Sequence, residues 1–436
     1  MGQAMGRAHR RRLVAVVAAL ACTAGVAACG GGSDGGSDGG DVTLTFWTHT
    51  HPPMIELNKT LIAQYEKANP NVTVEYQTIP NTEFGTKMLT ALSNGTGPDV
   101  INMDDNALRG EYIPKNLLAP VDPKAFGKGS VEELEKGYAA GVLDGAKDAK
   151  GTLYGVPSEL NSTAFAINTK HFRDAGLDPK KPPKTWDEVS AYGKKLVAAG
   201  HGQSFNFNYI HSGWYSQMYQ TLLNQTGGSI ANGSCDKATV NQPKSVATMQ
   251  IWADLARNDK IADPHKASRE ATAPYQDLAT GKQSMAIVYP WSMPQIADSN
   301  PDVYKDLSVV PLPQVDVAKP VIRWYGYDWA VNKASEEQEA AWKFIAFLST
   351  KHDAWLSDVG FIQGQQGWTE SKPAKELDDY DTWAKAYTNG KFDQVCPHWS
   401  EVQDALKAAI DKVVFDGVAP QRALDQANTQ IQSSIE

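Results

Sequence analysis

Four cysteines among 436 residues are too few for a disulfide scaffold, and none stand in a CxxC pair. The chain also lacks HExxH, GxxxxGK and GxSxG patterns, so the strong signatures of metal, phosphate and nucleophile chemistry are missing. A surplus of positive charge is absent as well: 41 Lys and Arg stand against 50 Asp and Glu, a formal charge of −9. That balance, with no basic cluster beyond residue 12, argues against a nucleic-acid or anionic-lipid surface. The single apolar run, "LVAVVAALACTAGVAA" at 13–28, is too short and too rich in Ala and Gly for a comfortable membrane span.

Preceded by Arg7, Arg10, Arg11 and Arg12, that run reads as a secretory signal peptide. Val26, Ala27 and Ala28 before Cys29 resemble the bacterial lipobox, in which the cysteine is acylated and becomes the new N-terminus. An uncleaved anchor helix and an ordinary cleaved signal with an incidental cysteine are the alternatives, and Cys22 is a weaker lipidation candidate. The eleven Gly, Ser and Asp residues at 30–40 then act as a tether spanning roughly 17 to 20 Å. Removing residues 1–28 leaves 408 residues with 37 basic and 50 acidic side chains, enough chain for two or three domains. Cys235 and Cys396 remain, 161 positions apart; a disulfide is expected, with two separate thiols as the alternative.

Downstream, "VTLTFW" (42–47) alternates at period two, and Met54, Leu57, Leu61, Ile62 and Tyr65 then mark one helical stripe. "PNVTVEYQ" returns to period two, "TEFGTKMLTALSNG" is helical up to Gly95, and "PDVINMDD" supplies another strand. Thr185 and Glu188 are spaced as a capping box, and Ala341, Phe344, Ile345 and Leu348 line a later helix. Such alternation predicts an α/β protein with mostly parallel sheets flanked by helices, and ligands beyond the carboxyl ends of the strands.

The order of "LTFW", "YEKANPNVTVEY", "GPDV", "LYGVP", "INTKHFRDAGLDP", "PKTWDEV", "LATGKQSMAIVYPW" and "YGYDWAVNKASEEQEAAWKFIAFLS" resembles an extracellular solute-binding protein of an ABC importer. Within that family the match is to the large sugar-binding group that includes maltodextrin-type members, and it covers nearly all of the mature chain. The resemblance implies two α/β lobes of the type II periplasmic-binding-protein fold, closing on a hinge around ligand. Its expected division is signal peptide 1–28, lipidated cysteine and tether 29–40, first lobe 41–158, second lobe 159–318, first-lobe return 319–370 and second-lobe helices 371–436. The implied partners are a carbohydrate, the permease subunits of an importer and the cell membrane through the lipid; a monomer without cofactor is expected.

A sugar presents hydroxyls around its rim and C–H patches on its faces, so its site needs aromatic platforms and fixed polar groups. Trp291 in "VYPWSMP" matches the family's stacking tryptophan, with a core tryptophan as the alternative; as a cleft residue it is expected to be partly exposed. Trp399, at the start of the next-to-last helix, and Trp214 or Tyr215 are further platform candidates. Asp104 and Asp105 follow the "PDVINM" strand as hydroxyl acceptors, although a helix N-cap could claim one of them. Glu159 and Asn161 after "YGVP", Thr48 and His49 after the first strand, and Tyr327 with Arg323 and Tyr325 in "RWYGYDW" complete the candidates. His49 and His51 lack a third ligand nearby in sequence, so no metal site is expected. Two other functions stay open: the same transport role for a polyamine, a phosphorylated polyol or chelated iron, and a glycosidase using Asp104, Asp105 and Glu159.

Overall fold

The computed structural model describes residues 40–201, 215–262, 274–388 and 390–436. Cys29, the signal segment and most of the tether lie outside the described residues, as does Trp214.

Strand β1 (Val42–His49) buries Leu44 and Phe46 on one face, as its period-two pattern requires. Helix α1 (Pro52–Ala68) follows at once, with prolines in its first turn, where a missing N–H costs nothing, and with His51 as its N-cap. The stripe of Met54, Leu57, Leu61, Ile62 and Tyr65 is buried. Strand β2 (Val72–Ile79), helix α2 (Asn81–Ser93) and strand β3 (Val100–Asp104) follow, and β1 pairs in parallel with both β2 and β3.

The two-residue β4 (Leu118–Ala119) and β5 (Gly155–Ser162) join the same sheet, and after only Thr163 the chain continues as β6 (Ala164–Asn168) of a second sheet. That sheet contains β7 (Met285–Val288) and β8 (Leu307–Val310) on either side of β6. The chain then returns as β9 (Ile322–Asn332), eleven residues that pair with β3, β4 and β5 antiparallel and with β10 (Gly390–Phe392) in parallel. The molecule is thus a two-lobed α/β protein in which strand backbone itself carries the chain across.

The smaller sheet departs from the parallel arrangement that strand–helix alternation predicts: β6 is antiparallel to both neighbours. β7 and β8, separated by the helix α3 (Ser292–Ser299) and a shorter helix, run the same way, as a crossover connection requires. β6 enters between them directly from the other sheet. No crossover helix fixes its direction, and periodicity carries no record of direction. Strand β9 is inserted into the larger sheet in the same manner.

Elsewhere the local signals operate as read. Thr185 and Glu188 form the capping box of a helix over Trp186–Ala198, and Ala341, Phe344, Ile345 and Leu348 are buried on Gln338–Ser349. Cys235 and Cys396 are joined, with Cα atoms 5.6 Å apart, so the segment after the Tyr215–Thr226 helix is tied to the start of the Trp399–Val414 helix.

Candidate ligand-binding site

Directly opposed residues of an antiparallel pair share a face of the sheet. Asp104 of β3 and Glu159 of β5 both stand opposite Tyr327 of β9, and Asn161 stands opposite Tyr325. The register therefore builds one rung, Asp104–Tyr327–Glu159, and a second, Tyr325–Asn161, with Arg323 two residues further along the same face. Tyr327 is the single residue of β9 that is not fully buried, and Asp104 also keeps an accessible edge.

His49 closes one side. Its ring lies 4.3 Å from the Tyr327 ring, tilted by 33°, and its Nδ1 is 3.1 Å from Asn102 Oδ1. Burial lowers its pKa to about 3, with the charge of His51 adding to the effect, so the ring is a neutral polar plate. His51 is likewise lowered to about 4 by burial; its ring lies 5.1 Å from Phe361, and its Nε2 is 3.0 Å from Gln295 Nε2.

From the second lobe, Trp291 meets this surface. Its ring is stacked on Tyr289 at 5.2 Å with 3° between planes, and it stands edge-on to Tyr275 and His51. The indole Nε1–H donates to the Tyr325 hydroxyl at 3.3 Å. A Cβ on Gly360 would lie 3.0 Å from Trp291 Cα, and its φ of +80° suits glycine, so this residue lets the neighbouring chain approach closely. Trp291 is only 7% exposed, which corrects the expectation of a partly exposed platform: three aromatic neighbours enclose it.

The charges sort into pairs and remainders. Arg323 donates through Nε to Asp393 at 2.7 Å, and its guanidinium lies 4.9 Å from the Tyr325 ring centre. Arg109 binds Asp105 Oδ2 at 2.8 Å, while Asp105 Oδ1 accepts the Gly326 N–H at 3.0 Å. Asp104 is the N-cap of the turn that follows β3, accepting from Asn106 and Ala107 N–H through Oδ1. The N-cap alternative thus describes Asp104, leaving its Oδ2 over. Burial, then the charge of Asp105, pushes Asp104 up to about 7; burial pushes Glu159 up to about 8, with Asp104, Asp105 and Asp328 adding to the rise. The fully buried Asn161 amide lies beside the Glu159 carboxyl, yet among the described residues neither its Oδ1 nor its Nδ2 has a hydrogen bond of good geometry.

The other candidates stand elsewhere. The Thr48 hydroxyl is 2.8 Å from the Tyr76 hydroxyl, which also accepts from Asn58 Nδ2, on the face opposite His49. Trp399 is buried against the turn at Leu108–Tyr112, where a Cβ on Gly110 would lie 2.4 Å from its own Cβ, and its indole N–H has no hydrogen-bond partner among the described residues. Tyr215 opens its helix, with its side chain outside the described residues. Sequence reasoning missed Tyr289, Gln295 and the Asp393 partner of Arg323, and weighed His51 only as a metal ligand. Tyr289 had a signal in its place two residues before Trp291. Asp393, 70 positions from Arg323, had none.

The family model for bacterial extracellular solute-binding proteins matches residues 52–355. The chain belongs to this family. The diacetylchitobiose-binding protein DasA of Streptomyces coelicolor is 26% identical over 410 residues, 91% of each chain. An arabinooligosaccharide-binding protein of Bacillus subtilis is 24% identical over 418 residues, 89% of this chain and 91% of its own. Among solved structures, an ABC transporter solute-binding protein of Thermotoga lettingae bound with α-D-tagatose superposes with a TM-score of 0.78 at 22% identity, covering 90% of this chain and 100% of the other. These relatives are binding proteins, and the two-lobed fold of this binding protein is theirs.

Proposed function

We propose that this binding protein captures a sugar, an oligosaccharide or disaccharide, between its two lobes outside the cell and delivers it to the permease of an ABC importer. The observation that carries this reading is Asn161. A buried amide with one acceptor and two donors, none well engaged, is a costly feature unless a ligand completes it, and adjacent sugar hydroxyls both give and accept hydrogen bonds. Around it, Tyr325, Tyr327 and Trp291 supply the aromatic faces that sugar C–H patches require. The oligosaccharide ligands named for the relatives point the same way. A phosphorylated polyol is disfavoured, because Arg323 is already held by Asp393. A glycosidase would release new reducing ends from an oligosaccharide, and none are expected.

A thermal-shift screen against sugars, polyamines and phosphopolyols tests the class, since a ligand that binds only the folded state raises Tm. With a sugar found in that screen, Trp291→Ala should weaken binding by about 1–3 kcal/mol in calorimetry. Unchanged affinity in a folded variant would remove Trp291 from the site.

Secretion followed by lipidation at Cys29 would keep the captured sugar close to its permease. Cys29→Ala should then leave a folded protein that fractionates away from the membrane. A variant still firmly membrane-bound, with its signal removed, would dismiss the anchor.

A further inference from the structure

The charges around the Tyr327 rung do not balance. Five acidic side chains, Asp104, Asp105, Glu159, Asp328 and Asp393, gather there with two arginines. Arg109 is paired with Asp105 and Arg323 with Asp393. His49 and His51 contribute no positive charge near neutrality, because burial keeps both rings neutral. Asp104, Glu159 and Asp328 therefore have no cation in ion-pair contact among the described residues.

Asp104 and Glu159 occupy the same face on either side of one tyrosine. Two strand spacings put their Cα atoms about 10 Å apart, so the register sets their carboxyl groups on either side of the Tyr327 side chain, whose ring has His49 as a neighbour on one side. Asp104 commits Oδ1 to its N-cap, and no described residue donates to Oδ2. The face of an aromatic ring attracts cations, as the Arg323 guanidinium over Tyr325 illustrates within this site. The buried Asn161 amide in the adjoining rung points independently to a polar ligand.

A neutral sugar can accept or donate hydrogen bonds here, but it leaves the surplus negative charge to be neutralised by protons. An ammonium group removes both problems. We infer that the solute is a sugar bearing a positively charged amino group, whose ammonium sits over Tyr327 between Asp104 and Glu159. This rests on the sugar reading above and narrows its ligand class.

A proton balance accompanies binding. Below neutral pH, burial keeps protons on Asp104 and Glu159; an ammonium beside them favours the carboxylates, and the displaced protons pass to the buffer. Asp105 and Asp328 act in the same sense as these two, Arg109 and Arg323 oppose them, and the hydroxyls of Tyr112, Tyr325, Tyr327 and Tyr387 stay protonated because burial raises each.

The test is calorimetry with three β-1,4 disaccharides that differ only at C2: cellobiose with hydroxyls, diacetylchitobiose with acetamides and chitobiose with amines. Titrations at pH 6.5 in two buffers of different ionisation enthalpy count the protons. Chitobiose should bind at least tenfold tighter than either neutral sugar and release protons, whereas the neutral sugars should release none. Glu159→Gln should reduce the preference and the proton release together; should that variant fail to fold, the wild-type comparison decides alone. A neutral disaccharide that binds as tightly as chitobiose overturns the inference and leaves the sugar reading standing. Binding of none of the three overturns the inference, and the thermal-shift screen then decides the sugar reading separately.

Discussion

Asp393→Ala should destabilise the protein by about 3–5 kcal/mol, the usual cost of leaving one partner of a buried ion pair uncompensated. The Arg323 side chain is 1% exposed and that of Asp393 fully enclosed, so water cannot replace the lost carboxylate. Arginine cannot escape by losing its proton, because its pKa lies far above neutrality. The same carboxylate accepts from Asn106 Nδ2 at 3.5 Å, and the Asp393 carbonyl accepts from Arg109 Nη1 at 3.0 Å, so this residue links the turn after β3 to β9 and β10. Replacing both partners together, as Arg323→Met with Asp393→Leu, should recover a large part of the loss, because no unpaired charge then remains. Urea melts of the three variants measure this. A loss below about 1 kcal/mol for Asp393→Ala would match an exposed pair and contradict the enclosure.

That pair also shows where sequence reading stops. Strands β1, β2 and β3, the buried stripe of α1 and the capping box at Thr185 are encoded within a few residues, so periodicity and spacing reveal them. Arg323 read alone is a free cation suited to a ligand; its partner is 70 positions away and nothing local marks it. The direction of β6 is hidden for a related reason, since pairing partners more than a hundred residues downstream decide it. The site was partly legible. Asp104 and Trp291 were named from their places at strand ends and Glu159, Asn161 and Tyr327 from the family resemblance, and register brings Asp104, Glu159, Asn161 and Tyr327 onto one face. Thr48 and His49 were named together, although adjacent residues of a strand point to opposite faces, and the hydroxyl of Thr48 is turned to Tyr76 instead. Asp104 and Asp105 looked equivalent as neighbours, yet one caps a turn and the other binds Arg109, a division that needs the backbone direction after β3.

The unpaired carboxyl groups have a consequence for stability without any ligand. Glu159 is pushed up to about 8 and Asp104 to about 7 in the folded chain, from ordinary values of 4.5 and 3.8. Between the ordinary and the folded values the native state binds more protons than the unfolded state, so stability falls as pH rises through that window. Asp105 and Asp328 are raised too and act in the same direction. His49 and His51 act oppositely. Their folded values of about 3 and 4 lie below the ordinary 6.5, so their contribution is fully present above about pH 6.5 and is lost as pH falls. Below that point the two effects oppose each other and the profile flattens; above it only the carboxyl groups change. Glu159 and Asp104 together should therefore cost about 2–3 kcal/mol between pH 6.5 and 8.5, at about 1.4 kcal/mol per pH unit for each proton. Glu159→Gln, which keeps the shape but cannot ionise, should remove most of that decline. Urea melts at pH 6.5, 7.5 and 8.5 give the slope directly, and stability that is level or rising across this range would mean that Asp104 and Glu159 already stand as solvated or paired carboxylates near neutrality, against the geometry of the rung.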